Sequence, residues 1–166
     1  MSTPPDDATP IVLAVCLGNI CRSPTAEASL RAAAADAGVE LDVRSAGTGA
    51  WHIGSPPDHR MRAAASEVGL ELDGEAQLAD APTLRDADLV LAMDRSNLRD
   101  LQHLARTEGV DTPIRLFREF DPQPDGDLDV PDPYYGGSDG FAEVVARCQR
   151  TAVAIVDQLD RLVSRP

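Results

Sequence analysis

The sequence contains few cysteines and few basic residues and has no long hydrophobic run, and each shortage excludes a class of protein. Its three cysteines, an odd number, argue against a disulfide framework and favour a reducing compartment such as the cytoplasm. Fifteen basic residues stand against 28 acidic ones, and the net charge of −13 would repel nucleic acid and anionic membranes. No apolar run approaches the roughly 18 residues of a transmembrane helix. We therefore expect a cytoplasmic protein whose partners include neither nucleic acid nor a membrane.

The length and composition predict a single domain. A chain of 166 residues that is 43% hydrophobic can bury enough apolar surface for one core. Residues 1–10 are predicted to form a disordered tail, because they begin with a polar and acidic stretch. The same stretch lacks the features of a secretory signal. Residues 11–166 then form the domain, whose oligomeric state the sequence does not specify.

Predicted strands and helices alternate along this domain. Strands are expected at 11–15, 41–46, 89–93 and 114–116, and helices at 24–37, 56–68, 82–87, 96–106 and 138–163. Ser23 is the expected N-cap of the first helix, and Gly38 is its expected end. The alternation indicates an α/β fold, a doubly wound four-stranded parallel sheet flanked by helices. Ligands in such folds bind beyond the carboxyl ends of the strands, where Cys16, Asp94 and the long loop 120–136 are expected to meet.

The segment between the first strand and the first helix contains residue types that suit the binding and attack of a tetrahedral oxyanion. Cys16 directly follows the strand, and Arg22 precedes the Ser-Pro pair that starts the helix. A loop that leads into a helix N-terminus turns its backbone N–H groups toward one point, where the helix dipole adds positive potential. Arg22 adds a planar fork of donors, and the same field favours a thiolate. We predict a phosphate-binding loop after the first strand with Cys16 and Arg22 as catalytic residues and an anion site lined by Leu17, Gly18, Asn19, Ile20, Cys21 and Ser23.

The segment from Cys16 to Pro24 resembles the signature loop of the low-molecular-weight protein tyrosine phosphatases. The likeness continues through Ser-Ala-Gly-Thr at 45–48, Met-Asp-Arg-Ser-Asn at 93–97 and Asp-Pro-Tyr-Tyr-Gly at 132–136, and so covers nearly the whole chain after residue 10. The resemblance implies that Cys16 is the nucleophile, that Arg22 binds the phosphoryl oxygens and that Asp132 is the general acid. It also implies a phosphotyrosine-containing protein or peptide as substrate and no metal or organic cofactor. The loop chemistry alone argues only for Cys16 and Arg22.

Aromatic residues in loops are candidates for the walls of the substrate pocket. Trp51, Tyr134 and Tyr135 are three of the six aromatic residues of the chain, and all three lie in segments rich in Gly or Pro. Such side chains would suit the walls of a slot for a flat ring. Asp132 lies between Pro131 and Pro133, which restrict the backbone and would help to hold its carboxyl group in one place.

Several residues have two reasonable interpretations. Cys21 is either a small buried hydrophobic residue or a redox partner of Cys16, since a curled loop could bring the two within disulfide range. Cys148 lies on the apolar stripe of the last helix, where core packing is expected. Asp94 either caps the helix that follows it or pairs with Arg22, and we favour the pairing.

Charged residues outside the loop are harder to assign. Asp127 and Asp129 are expected to be solvated charges in the long loop. Asp73 occupies a position where the family often has a histidine, so the polar surroundings of the loop are expected to differ there. His52, His59 and His103 show no spacing typical of metal ligands, and we expect surface or structural roles for them.

Two other functions are compatible with such a loop. Thioredoxin-linked arsenate reductases share a similar loop and fold but need further cysteines downstream, and here only Cys148 is available. A non-catalytic module that binds phosphoproteins could use the same loop, although the presence of Cys16, Arg22 and Asp132 together argues against it. Relatives that resemble phosphoarginine phosphatases have a threonine at the position of Ile20, whose apolar side chain favours a phenyl ring instead.

Overall fold

The computed structural model describes residues 8–124, 126–134 and 138–163. The described strands are β1 (Ile11–Cys16), β2 (Asp42–Gly47), β3 (Leu89–Ala92) and β4 (Ile114–Leu116). The described helices are α1 (Arg22–Ala37), α2 (His59–Ser66), α3 (Ala81–Asp86), α4 (Arg95–Glu108), α5 (Ser138–Asp157) and α6 (Leu159–Leu162). The four strands form one parallel sheet in the order β2-β1-β3-β4. The predicted doubly wound α/β fold is therefore confirmed.

Helices cover both faces of the sheet. Successive residues of β1 point to opposite faces and therefore pack into two different cores. Val12 and Ala14 pack into the larger core, to which α1, α2 and α5 contribute. Leu13 and Val15 pack into a smaller core on the opposite face, with residues of α3 and α4. Every residue of β3 is buried, as expected for a parallel strand that is covered on both faces.

The register of the strands brings their carboxyl ends to one rim. Cys16 at the end of β1 pairs with Gly47 at the end of β2. On the other side of β1, Val15 pairs with Ala92, and Ala92 in turn pairs with Leu116 at the end of β4. Loops that leave these ends therefore converge, which is where ligands bind in folds of this type.

Two predictions about helix ends are wrong. Ser23 is not the N-cap of α1, because the helix begins at Arg22 and the Ser23 hydroxyl turns toward the Cys16 thiol. The last helix is not continuous to residue 163, because Gln158 leaves the helical conformation (φ −118°, ψ 19°) and separates α5 from α6. The predicted end of α1 is confirmed, since Gly38 adopts the left-handed conformation (φ 68°) that glycine accommodates without strain.

The structure describes only the last part of the predicted N-terminal tail, since residues 1–7 lie outside the described residues. The Pro10 carbonyl accepts a hydrogen bond from the Asp42 backbone N–H at 2.9 Å, so this residue extends the pairing of β1 with β2. The tail and the domain boundary stay predictions. Among the described helices, none combines the length and the apolar character needed to cross a membrane.

Candidate active site

The Cys16 thiol lies at the carboxyl end of β1, enclosed by the loop that leads into α1. The residue is only 2% exposed. Its Sγ accepts a hydrogen bond from the Asn19 backbone N–H at 3.2 Å and lies 3.1 Å from the Ser23 hydroxyl. Asn19 has a positive φ of 56°, which is uncommon for a residue other than glycine. This conformation helps the loop to curl around the sulfur and to point an N–H group at it.

A hydrogen-bond network fixes the direction of the Ser23 hydroxyl. Asn19 Nδ2 donates to Ser23 Oγ at 2.8 Å and to Ser45 Oγ at 3.0 Å, and Asn19 Oδ1 accepts from the Gln77 backbone N–H at 3.0 Å. Because Ser23 Oγ accepts from Asn19, its own proton can go to the sulfur at 3.1 Å or to the Ala46 carbonyl at 3.4 Å, and the sulfur is the nearer acceptor. When Cys16 is a thiolate, it therefore has a backbone donor and a hydroxyl donor.

The network continues away from the thiol to Glu27 and Arg31, which the sequence analysis missed. Ser45 Oγ donates to Glu27 Oε1 at 2.6 Å, and Glu27 forms an ion pair with Arg31 one helical turn later. Burial raises the pKa of Glu27, against the opposing effects of Ser45 and Arg31. Asp73 lies 3.7 Å from Arg31, and its charge also raises the pKa of Glu27, although most of its side chain is exposed.

Arg22 links the loop to two other parts of the rim. The residue is 3% exposed, and its Nη1 donates to Asp94 Oδ2 at 2.6 Å and to the Val130 carbonyl at 3.2 Å. Burial opposes the guanidinium charge, but Cys16, Asp94 and Asp132 outweigh that effect and raise the pKa of Arg22. Asp94 Oδ1 also accepts from the Asn97 backbone N–H at 2.7 Å. Both roles considered for Asp94 are therefore present, since it caps α4 and holds Arg22.

Asp132 lies at the mouth of the site, close to the Arg22 guanidinium. Its Oδ2 is 3.7 Å from Arg22 Nη2, and its Oδ1 accepts from the Tyr134 backbone N–H at 3.0 Å. The side chain is 41% exposed, so it can contact both solvent and a molecule in the site.

These residues surround one cavity of about 420 Å³. Trp51 and Tyr134 form its aromatic wall, and the Trp51 ring packs so closely on Gly49 that a Cβ atom there would lie 1.9 Å from it. His52, for which we expected only a surface or structural role, also lines the cavity. Among the described residues, the lining consists of Cys16, Leu17, Gly18, Ile20, Cys21, Arg22, Trp51, His52, Asp132 and Tyr134.

Two of the described residues that we predicted for the site, Asn19 and Ser23, do not line this cavity. Asn19 and Ser23 are buried behind the loop and act on the sulfur through the network. Tyr135 lies outside the described residues.

The other two cysteines are buried thiols. Burial, together with the nearby Asp58 and Cys16, raises the pKa of Cys21 to about 12. Burial also raises the pKa of Cys148 to about 12, and the predicted core packing of Cys148 is confirmed. The described cysteines are all free thiols, and Cys21 borders the cavity while Cys148 does not.

The sequence predicts a solvated charge at Asp129, but the structure shows that this residue also accepts two hydrogen bonds. Its Oδ1 accepts from the Arg95 backbone N–H at 3.0 Å, and its carbonyl accepts from Arg118 Nη1 at 2.8 Å. Asp127 Oδ1 accepts from the Asp129 backbone N–H at 3.0 Å, so this carboxylate is also part of the loop structure. The sequence offered no sign of Arg118, which is completely buried.

Similarity to known proteins extends over nearly the whole domain. The sequence model described as low molecular weight phosphotyrosine protein phosphatase matches residues 11–165. A low molecular weight protein-tyrosine-phosphatase of Streptomyces coelicolor is 45% identical over 145 residues, 86% of this chain and 88% of the relative.

Solved structures agree with the sequence matches. A protein tyrosine phosphatase from Entamoeba histolytica superposes with a TM-score of 0.86 at 30% identity, covering 92% of this chain and 98% of the other. A structure described as a Drosophila arginine phosphatase has a TM-score of 0.84 at 29% identity, covering 89% of this chain and 96% of the other. The chain therefore belongs to the low molecular weight phosphotyrosine protein phosphatase family, which is a family of enzymes.

Proposed function

We propose that this protein hydrolyses the phosphate monoester of phosphotyrosine in proteins or peptides, through a covalent phosphoryl intermediate on Cys16. The observation that carries the proposal is the meeting of Cys16, Arg22 and Asp132 on one cavity with an aromatic wall. Cys16 and Arg22 lie at the two ends of the loop that joins β1 to α1, and Asp132 comes from a distant loop. Each supplies a group that the reaction needs.

In the first step, the Cys16 thiolate attacks phosphorus from the base of the loop. The S–P bond forms while the P–O bond to the tyrosine breaks, and Asp132 gives its proton to the departing phenolate oxygen. Arg22 and the loop N–H groups neutralise the charge on the equatorial oxygens of the phosphoryl group, which is the main contribution a protein makes to phosphoryl transfer. The Ser23 hydroxyl stabilises the thiolate before the attack, since it lies 3.1 Å from the sulfur.

In the second step, water releases the phosphate. Asp132, now a carboxylate, takes a proton from a water molecule as that water attacks phosphorus. The S–P bond breaks, the thiolate of Cys16 is restored and inorganic phosphate leaves. Asp132 regains its proton in this step, so the cycle closes with water as the only co-reactant.

The cavity walls favour an aryl substrate. Trp51 is 75% exposed and Tyr134 is partly exposed, so both can contact a planar ring by offset or edge-to-face packing. Ile20 adds apolar surface to the cavity lining. One structural neighbour is described as an arginine phosphatase, and we propose that the apolar Ile20 gives this protein a preference for phosphotyrosine over phosphoarginine.

The two alternative functions predict different results. An arsenate reductase of the thioredoxin-linked kind needs a relay of cysteines, and Cys148 is fully buried in the core, away from the cavity lining. A binding module would retain phosphate monoesters without turning them over. A cytoplasmic location stays a prediction.

Turnover of para-nitrophenyl phosphate by the purified protein tests the proposal. We expect the wild type to be active and Cys16→Ser to retain at most a few per cent of kcat while it still binds vanadate. In kcat/KM, which reports the step in which the phenolate leaves, Asp132→Asn should lose roughly 100-fold or more with phenyl phosphate, whose leaving group needs a proton, and much less with 2,4-dinitrophenyl phosphate. If Cys16→Ser retains more than a few per cent of the wild-type kcat, Cys16 is not the nucleophile. An equal loss on both substrates in Asp132→Asn would remove Asp132 as general acid.

A further inference from the structure

Asp129 is held from two sides, three residues before Asp132. Its Oδ1 accepts from the backbone N–H of Arg95, the first residue of α4, at 3.0 Å. Its carbonyl oxygen accepts from Arg118 Nη1 at 2.8 Å. We call these two contacts the Asp129 clamp. They attach the loop to α4 through a side chain and to Arg118 through the main chain.

The Arg118 end of the clamp is itself rigidly held. Arg118 is completely buried, and its Nε donates to Asp121 Oδ2 at 3.1 Å. Arg150 on α5 binds the same carboxylate, since its Nε donates to Asp121 Oδ1 at 2.8 Å and its Nη2 donates to Oδ2 at 3.0 Å. Burial opposes ionisation of Asp121, but the hydrogen bonds from Arg150, the Gln123 N–H and Arg118 outweigh it and lower its pKa to about 2. Arg118 is thus fixed by a buried carboxylate that is ionised at neutral pH.

The residues that follow the clamp have little freedom before the chain reaches Asp132. The Val130 N–H donates to the carbonyl of Met93, the residue after β3, at 2.7 Å, and the Val130 carbonyl accepts from Arg22 Nη1 at 3.2 Å. Val130 is 1% exposed. Pro131 comes next, and its ring fixes φ. Asp129, Val130 and Pro131 therefore form one anchored stretch that leads directly to Asp132, and the loss of one anchor would loosen that stretch.

Neither Asp129 nor Arg118 lines the cavity, so neither can touch a substrate there. We propose that Asp129, held by Arg118 and by the first turn of α4, is a positioning residue that sets the place of the Asp132 carboxyl group over the leaving-group oxygen. This inference rests on the proposed function, in which Asp132 is the general acid. A misplacement of about 1 Å at a reacting group can cost up to about 100-fold in rate, so a remote anchor can matter.

The primary test is Asp129→Ala, with Asp100→Ala as its control. Asp129 is partly exposed, so its replacement should leave the core intact. Asp100 is an exposed carboxylate on α4, and its variant makes the same change in net charge. We expect Asp129→Ala to lose about tenfold in kcat/KM with phenyl phosphate and less than twofold with 2,4-dinitrophenyl phosphate, because kcat/KM reports the step in which the phenolate leaves. Inhibition by vanadate should not change, and Asp100→Ala should match the wild type on both substrates.

The double variant with Asp132→Asn shows whether the clamp acts through Asp132. If it does, adding Asp129→Ala to Asp132→Asn should cause no further loss, because the group being positioned has already been removed. A merely structural effect would add to the loss instead, and that result would overturn the proposal. Arg118→Lys, which keeps the charge beside Asp121 but loses the fork, should reproduce the selective loss of Asp129→Ala.

Other outcomes also decide the matter. Equal losses on both substrates together with weaker vanadate inhibition would mean that the clamp acts on Arg22, and the proposal would be wrong. Full activity of Asp129→Ala with phenyl phosphate would overturn it as well. If Asp132→Asn itself shows no dependence on the leaving group, the proposed role of Asp132 fails, and that failure is visible without any Asp129 variant.

Discussion

Asp94 offers a way to separate the stability of the fold from the positioning of Arg22. One carboxylate oxygen caps α4 by accepting from the Asn97 N–H at 2.7 Å, and the other accepts from Arg22 Nη1 at 2.6 Å. Asp94→Ser keeps an acceptor for the cap but cannot reach Arg22 with a charge. Asp94→Ala removes both contacts. The difference between the two variants therefore reports the cap alone.

The magnitudes follow from the two contacts. A hydrogen bond to a charged partner contributes about 1.5–3 kcal/mol, and the Asp94 side chain is 20% exposed, so a value near the lower end is expected. If that energy is used to hold Arg22 in place for the phosphoryl oxygens, both variants should lose roughly 10- to 30-fold in kcat/KM. Loss of the cap should make Asp94→Ala less stable than Asp94→Ser by about 1 kcal/mol.

Two measurements check this reasoning. Steady-state kinetics with para-nitrophenyl phosphate give kcat/KM, and urea unfolding gives the free energy of unfolding of each variant. Similar activities in the two variants with different stabilities would support it. If Asp94→Ser retains kcat/KM within twofold of the wild type, Arg22 does not depend on Asp94 and the reasoning is refuted.

Three further predictions concern stability, oxidation and specificity. Because the pKa of Asp121 falls from 3.8 to about 2 on folding, its ionisation should contribute about 2 kcal/mol of stability above pH 4 that is lost as the pH falls through 2. Urea unfolding should show Asp121→Asn less stable at pH 7, with a gap that narrows below pH 4, whereas a constant gap would contradict this. Mild peroxide should inactivate the enzyme reversibly through a disulfide between Cys16 and Cys21, and mass spectrometry that finds Cys21 reduced beside over-oxidised Cys16 would refute it. Ile20→Thr should shift kcat/KM from phosphotyrosine toward phosphoarginine peptides by about tenfold, and equal or better wild-type turnover of phosphoarginine would show that the role of Ile20 is wrong.

Local sequence patterns predicted most of the fold and the centre of the site. The apolar runs of β1 and β3, the left-handed end of α1 at Gly38 and the order of strands and helices all depend on neighbouring residues. Because the parallel strands end at one rim, the convergence of Cys16, Asp94 and the loop with Asp132 followed from the fold class. These predictions needed no knowledge of contacts between distant residues.

Predictions failed where a distant contact outweighed a local preference. Ser23 has the composition of an N-cap, yet its hydroxyl is used by Cys16 and Asn19 instead. Arg118 in a short 3-10 turn resembles any surface arginine until Asp121 and the Asp129 carbonyl surround it. The residues that neighbour Arg118 in the sequence do not predict that its side chain is buried.

The sequence by itself thus determined the elements, their order and the chemistry of the Cys16 loop, because these follow from periodicity, turn residues and the spacing of a few side chains. Only the tertiary structure decided how Arg22 and Asp132 are held. The Arg22 guanidinium bonds a carbonyl 108 residues away and a carboxylate 72 residues away. Contacts over such separations form only when the sheet brings its strand ends together, and local sequence preferences therefore do not predict them.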